Sequence, residues 1–455
     1  MSSDQTKMQS ATFPPGIGNV FGFASFNALS FQMIMGSPMV LYAKSLGASA
    51  TVLGMIAGMM PLMTIFQLPA ARYVANVGYK RFVLGGWTTR VVFIFIMALV
   101  PVTDVFLSPE TRLALMLFLL FWFNLSRGIS SCGWLPWITS LIPAAIRGKY
   151  LAREAAVVNL SAFLAMILSA ACVGLGKDPR AGQFTAVFVI SALAGVVSLA
   201  YLRRIPEGES PEQVRTSTTP VPWREIANHP PFRKLLRMNV AWGIAYGGIS
   251  AFSVAFLKVS VGLAEGSILL LTSMTFLGGL CSLWLMGTRL DRFGSKPVLV
   301  AGCLGWLVIL TGWVLIAGKL VAPHLWLILL LMFLMGLGAS MINMANTRLA
   351  MAIIPVMGRN HFFALFSVVG SLVLGLAPMG WGLLIDAFRV LETEWHGFDL
   401  NRYAVFFLAA GAAFVVLIFF CRKLEEPEAG SMEALLRDFL DQTPLRITLR
   451  FWPRG

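Results

Sequence analysis

Removing the charged residues from this 455-residue chain leaves about twelve uninterrupted apolar runs. They fall at 17–43, 49–71, 82–104, 112–138, 150–175, 183–203, 236–258, 264–288, 296–318, 324–350, 361–386 and 402–421. Each holds about 20 residues or more, enough for a helix to cross a hydrocarbon core of about 30 Å. Inside a bilayer every backbone N–H and C=O must pair within the protein, so only helices and closed barrels span it. The two-residue alternation of a barrel strand is missing from these runs. The expected fold class is an all-α polytopic membrane protein with twelve transmembrane helices. The composition, 57% apolar and 12% charged, lies far from that of a soluble domain.

A net charge of +14 raises the question of nucleic acid, and the placement of the charges answers it. With both termini inside, the inner segments hold 25 of the 35 lysines and arginines, among them Lys80, Arg81, Arg147, Lys149, Arg203, Arg204, Arg292, Lys296, Arg422 and Lys423. The outer loops hold eight: Lys44, Arg112, Lys177, Arg180, Lys258, Lys319, Arg389 and Arg402. Arg90 and Arg127 fall inside apolar runs. This asymmetry is the positive-inside pattern, which puts the N- and C-termini in the cytoplasm. The expected setting is a bacterial inner membrane, with anionic lipids against the basic cytoplasmic face, a monomeric chain and no nucleic-acid partner.

The chain is also one unit written twice. Gly287-Thr-Arg-Leu-Asp291-Arg292-Phe-Gly294-Ser-Lys296 is a polar hinge between two apolar runs, and Ala71-Arg-Tyr-Val-Ala75-Asn76-Val-Gly78-Tyr-Lys80 is its weathered copy about 216 residues earlier. Leu46-Gly47-Ala48 pairs with Val261-Gly262-Leu263. Ile142-Pro143 with Arg147, Tyr150 and Ala152 pairs with Ile354-Pro355 with Arg359, Phe362 and Ala364. The expected domains are two pseudo-symmetric six-helix bundles, 1–203 and 236–422. Between them, 204–235 is a cytoplasmic linker, rich in proline, with amphipathic pieces at Trp223 and Phe232. Residues 423–455 form an amphipathic tail whose Met432, Leu435, Leu436, Phe439 and Leu440 share a face. In the first outer turn Gly47 permits a left-handed residue and Ser49 caps the next helix.

The hinge pattern Gly287-x-x-x-Asp291-Arg292-x-Gly294-x-Lys296 resembles the signature of the major facilitator superfamily, here between runs 8 and 9. The six-plus-six plan with a long central cytoplasmic loop is similar to that superfamily over almost the whole chain. The resemblance implies a secondary carrier whose runs 1, 4, 7 and 10 line a central cavity. Two positions differ from the usual pattern. Ala75 stands where the first hinge normally has an acid, and Arg127 is followed at once by Gly128.

A carboxylate at Asp291 can accept from a helix N-terminus and pair with Arg348 or Arg359. Asp291, with Arg292 and Lys296 beside it, is therefore a candidate latch for the helices of runs 8, 10 and 11, the other reading being a topogenic loop with its charges in water. Glu154, near the start of the fifth run, suits the positive end of that helix, the functional alternative being a gating pair with Arg147 or Arg153. Gly294 serves the backbone geometry of the turn. Polar residues at helical spacing check the cavity assignment independently. Run 1 carries Asn27, Ser30 and Ser37. Run 4 carries Asn124, Arg127, Ser131 and Trp134. Run 7 carries Asn239, Trp242, Tyr246 and Ser250. Run 10 carries Ser340, Asn343 and Thr347, with Asn346 beside them. From these, Asn27, Asn124, Arg127, Trp242, Tyr246, Asn343 and Asn346 are the candidate substrate-binding residues. The competing reading is hydrogen bonding between helices.

Arg127 is the sharpest of them, because a guanidinium near mid-membrane costs about 2.5–3.5 kcal/mol even on the lenient scale. It suits a carboxylate or phosphate on a substrate, or else a structural pair with Glu154 or backbone carbonyls. Arg90 lies nine residues past Arg81, about 13 Å along a helix, and reads as snorkelling to the inner headgroups. No Asp, Glu or His stands in the middle of a run. Only Glu154 and Asp386, near helix ends, are available to couple protons.

All five cysteines, Cys132, Cys172, Cys281, Cys303 and Cys421, lie in apolar runs without ligand spacing, so neither disulfide nor metal is expected. No catalytic arrangement, phosphate loop or cofactor motif is present, so the chain reads as a non-enzyme without cofactor. The leading function is secondary active or facilitative transport of a small organic solute by alternating access, with Arg127 suggesting an anionic one. A multidrug or metabolite exporter is the alternative within the class. A non-transporting assembly factor or sensor on a transporter fold is the alternative outside it.

Overall fold

The computed structural model describes residues 14, 16–142, 147–176, 180–207, 229–286, 289–353 and 359–426. The linker tip, the C-terminal tail beyond Glu426, Pro143 and Pro355 fall outside them. Among the described residues the chain forms helices α1 (Ile17–Met35), α2 (Ser37–Ser45), α3 (Ala50–Thr64), α4 (Gln67–Val77), α5 (Tyr79–Leu99), α6 (Pro109–Ser131), α7 (Trp134–Leu141), α8 (Arg147–Val173) and α9 (Ala181–Arg204). They continue as α10 (Pro230–Tyr246), α11 (Ile249–Val259), α12 (Glu265–Met286), α13 (Arg289–Phe293), α14 (Ser295–Ala317), α15 (Leu325–Ile353), α16 (Arg359–Ala387) and α17 (Arg402–Arg422).

Eleven helical stretches are long and apolar enough to cross a membrane. The first run supplies the twelfth crossing in two pieces, α1 and α2. The protein is thus a polytopic helical membrane protein, as the runs require.

Several runs expected as single helices are broken. The first turns at Gly36, whose backbone is extended at φ −84° and ψ −154°, with Pro38 opening the next piece. The fourth is interrupted at Cys132–Gly133, and the seventh at Gly247–Gly248, where Gly248 has φ 83°. Pro38 and Pro136, just past the first and fourth breaks, remove a ladder bond and crowd the preceding turn, and Gly248 is left-handed, so these runs bend, whereas Pro61 and Pro378 are held inside α3 and α16.

The internal repeat is written in the backbone. Gly78 and Gly294 take nearly the same left-handed extended conformation, φ 84°, ψ 149° and φ 82°, ψ 177°, each just before the next helix. Gly47 and Gly262 are both left-handed as well, at φ 85° and 73°. These are conformations that a Cβ penalises, which explains why glycine stands at both copies. Ser49 Oγ accepts from Val52 N at 3.3 Å, the expected cap.

The chain divides into two compact units. One joins Met1–Pro220 with Gly248–Phe276 and Leu374–Ala387; the other joins Val221–Gly247, Leu277–Val373 and Phe388–Gly455. In the first, a core of Val20, Phe23, Trp87, Val91, Trp137 and Leu202 ties α1, α5, α7 and α9 together. Glycines let its backbones touch. A Cβ on Gly58 would sit 2.0 Å from the Gly375 carbonyl oxygen, and one on Gly54 2.2 Å from that of Pro378. Asp386 closes the same contact: its carboxylate accepts from Ala50 N at 3.0 Å, Thr51 N at 2.7 Å and Thr51 Oγ1 at 2.6 Å. These include N–H groups the first turn of α3 cannot pair within itself.

In the second unit α14, α15 and α17 pack around aromatic stacks. Trp306 lies over Phe414 with ring centroids 5.3 Å apart, and Trp313 over Phe407 at 5.6 Å. An all-helical chain was expected, yet a short antiparallel hairpin, β1 (Glu392–Trp395) and β2 (Phe398–Asn401), precedes α17. His396 and Gly397 turn it with φ 49° and 81°, the conformation two-residue hairpin turns demand. Asn401 then caps α17 by accepting from Tyr403 N and Ala404 N, and its Nδ2 donates to Ala317 O at 2.7 Å.

Asp386→Ala should lower stability by about 1–2 kcal/mol through loss of the α3 cap. Asp386→Asn, which keeps an acceptor, should lose less. A thermal melt of the purified protein checks the order; equal melting temperatures for the alanine variant and the parent would show the cap to be idle.

Candidate functional site

The polar residues of the first unit converge on one cluster. Asn27, on α1, is half-buried, and its Oδ1 accepts from Trp87 Nε1 at 3.2 Å and from Arg90 Nη2 on α5. Arg90 is 0% exposed, which corrects the snorkelling reading. Its guanidinium carbon lies 5.3 Å from the Trp87 ring and 5.4 Å from that of Phe123 on α6. One helical turn beyond Phe123, Arg127 sits over the Phe31 ring at 4.7 Å, and Phe31 is one turn beyond Asn27.

Asn124 is buried. Its Nδ2 donates to Leu120 O at 2.8 Å, and its Oδ1 has no partner. Ser131 accepts from Gln67 Nε2 at 2.8 Å, while Trp134 lies beyond the helix break and packs on Phe23 at 4.7 Å. The polar stripe of run 4 therefore ends at Ser131. Glu154 is half-buried beside Tyr150 on its own helix, and among the described residues no ion pair joins it to Arg127.

In the second unit Trp242 and Tyr246 stack face to face, 4.6 Å apart and 8° from parallel. Asn239 and Asn346 exchange amide bonds, Asn346 Nδ2 to Asn239 Oδ1 at 2.7 Å and Asn239 Nδ2 to Asn346 Oδ1 at 3.2 Å. That reciprocal pair is the helix-to-helix bonding raised as the competing reading, and it occupies Asn346. Asn343 and Thr347, one turn apart on α15, are exposed. The structure thus sorts run 10 into a structural amide and an open polar face.

At the hinge, Gly294 ends α13 and opens α14. The first N–H groups of α14 point at Glu426: Ser295 N donates to its oxygens at 2.8 and 2.9 Å, and Lys296 N at 2.7 Å. Arg348 Nη1 donates to Glu426 at 2.8 Å and to Ser295 Oγ at 3.2 Å. The geometry expected of Asp291, a carboxylate on a helix N-terminus with an arginine beside it, is built here by Glu426, whose side chain is 3% exposed. Arg292 lies over the Phe293 ring at 5.1 Å. The side chains of Asp291, Arg147 and Arg359 lie outside the described residues.

Sequence reasoning passed over Glu426 because it falls beyond the last run. The unpaired N–H groups that any helix start presents were the available signal. Among the described residues no group of His, Cys, Asp or Glu could hold a metal ion.

A chain of apolar helices, internally repeated and lined by buried polar groups, defines a polytopic membrane transporter. The Major Facilitator Superfamily pattern matches residues 20–266 and 244–439, and the chain belongs to that superfamily. No curated protein matches it. Among solved structures it is similar to a mutant form of the nucleoside transporter NupG, at 14% identity and TM-score 0.65 over 90% of this chain and 98% of that one. It is similar to the inward-open xylose transporter XylE from E. coli, at 14% identity and TM-score 0.66 over 92% and 98%. A bacterial homologue of the human lysosomal transporter Spinster aligns at 14% identity and TM-score 0.63 over 90% and 97%. Likeness at this identity establishes the fold, and the cargoes of those proteins remain their own.

Glu426→Ala should cost about 1–3 kcal/mol, since it leaves two helix-start N–H groups and Arg348 without their shared acceptor. Glu426→Gln should recover part of this. Chemical denaturation in mild detergent reads the difference; an alanine variant as stable as the parent would remove Glu426 from the hinge.

Proposed function

We propose that this transporter is a secondary carrier that moves a small organic solute bearing an anionic group, by alternating access. The observation that carries the reading is Arg127, a guanidinium on a membrane helix that rests on an aromatic ring and has no carboxylate partner among the described residues. An unpaired charge there is expensive unless something from outside the chain shares the site. Asn27, Asn124, Trp242, Tyr246 and Asn343 supply the polar and aromatic contacts that orient a solute. Asp291, Arg292, Lys296, Arg348, Arg359, Arg147 and Glu154 belong to the gating apparatus in the same proposal.

So does the domain plan: two bundles, 1–203 and 236–422, the linker 204–235, and the tail 423–455. Cytoplasmic termini, a bacterial inner membrane and a monomeric state complete it. The lack of a mid-membrane acid in any run favours exchange or facilitated diffusion over coupling through a buried carboxylate.

The test is counterflow in proteoliposomes with a panel of labelled anionic and neutral solutes. A carrier of this kind exchanges an anionic solute saturably, and Arg127→Ala should reduce that exchange at least about tenfold, the scale of one lost charged contact. Saturable exchange that survives the substitution would take Arg127 out of the site. No exchange of any solute by well-folded protein would favour the assembly-factor reading.

A further inference from the structure

Arg90 is the feature this reading leaves unused. It is fully buried, and of its three guanidinium nitrogens only Nη2 has an acceptor, the Asn27 amide oxygen. Nε and Nη1 are buried without a hydrogen-bond partner. Arg90 packs on Phe123 and bonds Asn27, while Arg127 and Phe31 each stand one helical turn further along those two helices and pack on one another, so the two guanidinium groups occupy neighbouring turns where α1, α5 and α6 meet. Among the described residues no carboxylate balances either arginine. Two like charges therefore lie in one neighbourhood of the first unit, Arg90 fully buried and Arg127 half-buried, and among the described residues only amides and ring faces offset them.

Such an arrangement is unfavourable for the empty protein. Like charges held together in low dielectric repel, and unmade guanidinium bonds forfeit their hydration. The same arrangement is well suited to a ligand. A guanidinium fork offers two parallel N–H groups to a carboxylate or phosphate, and two forks together balance two negative charges. Asn124, on the same helix face as Arg127, adds an unpaired acceptor for a hydroxyl or amine on the ligand.

We infer that Arg90 and Arg127 together form an oxyanion site, and that the cargo carries two negative charges, as a dicarboxylate or a phosphate monoester. The inference rests on the carrier reading above and narrows its cargo. It also makes Arg90 a ligand-binding residue rather than a structural one.

The experiment is thermal melting of the purified full-length protein with succinate, monomethyl succinate, glucose 6-phosphate and glucose, repeated for Arg90→Met and Arg127→Gln. At least one dianion should raise the melting temperature saturably, with half-saturation at least about tenfold below that of any monoanionic or neutral probe. A response to succinate or to glucose 6-phosphate alone assigns the dicarboxylate or the phosphate ester.

Arg90→Met should lose this preference. Without ligand it should melt at or above the parent temperature, because it removes a buried unpaired charge. A structural Arg90 behaves in the opposite way. If Arg90→Met melts lower than the parent, fails to fold, or keeps the dianion preference, the inference is overturned. It also falls if none of the dianions stabilises the parent protein. Counterflow of a monoanionic or neutral solute under those outcomes would leave the carrier reading standing.

Discussion

The absence of water from the bilayer core governs the rest of this structure, because it obliges every backbone and side-chain polar group to find its partner within the protein. Helices meet most of that demand internally, but helix starts do not. At two of them the chain brings a carboxylate from far away in sequence. Asp386 closes α3, and Glu426 closes α14. Each contact does two jobs, since it satisfies orphan N–H groups and also fixes which helix end lies against which. Asp386 joins residues more than three hundred positions apart into one compact unit. A contact between charge and helix end is strong where water is scarce and weak where it enters.

The same constraint explains where the helices break. Gly36 with Pro38, Gly133, and the pair Gly247–Gly248 interrupt the first, fourth and seventh runs. The superfamily plan assigns those runs to the cavity. Irregular backbone at membrane depth is tolerated where it lies in protein or beside water, and is excluded where it faces lipid. In these three runs the breaks agree with the polar stripes, since both mark helices that need not present a smooth apolar surface all round. The second run departs from this, broken at Ile65–Phe66 between α3 and α4 without being assigned to the cavity, and so does the tenth. It stays continuous as α15, and its polarity is divided between Asn346, tied to Asn239, and the open face of Asn343 and Thr347.

Much of the architecture was legible because its determinants are local. Run length against bilayer thickness yields the helices, and glycine at matched positions yields the left-handed turns at Gly47, Gly78, Gly262 and Gly294. Ser49 as a cap is readable from its place before an apolar run. What could not be read depends on partners brought together by folding. Asp291 was the hinge's evident acid, but nothing local shows that Glu426, some 130 residues on, reaches the α14 start. Arg90 looked like a snorkelling residue because distance along one helix says nothing of Asn27 on another. The hairpin at 392–401 escaped notice because its strands are short and polar, and only the pairing itself, turned by His396 and Gly397, defines it.

The contrast between the arginines carries the functional argument furthest. Where this chain needs a guanidinium for architecture, it supplies the acid: Arg348 is answered by Glu426 at 2.8 Å, beside a helix start that also needs the charge. Arg90 and Arg127 lie in a less forgiving environment, yet receive an amide and aromatic faces. Aromatic rings stabilise a cation without cancelling its charge. They hold a guanidinium in place while leaving its field available. A purely structural pair would gain from one nearby aspartate, a substitution open to many positions on α1, α5 or α6. Leaving the charge unanswered is destabilising in the empty protein. That imbalance is what the proposed anionic cargo would answer, and in that proposal the cluster is half of an ion pair whose other half is the cargo.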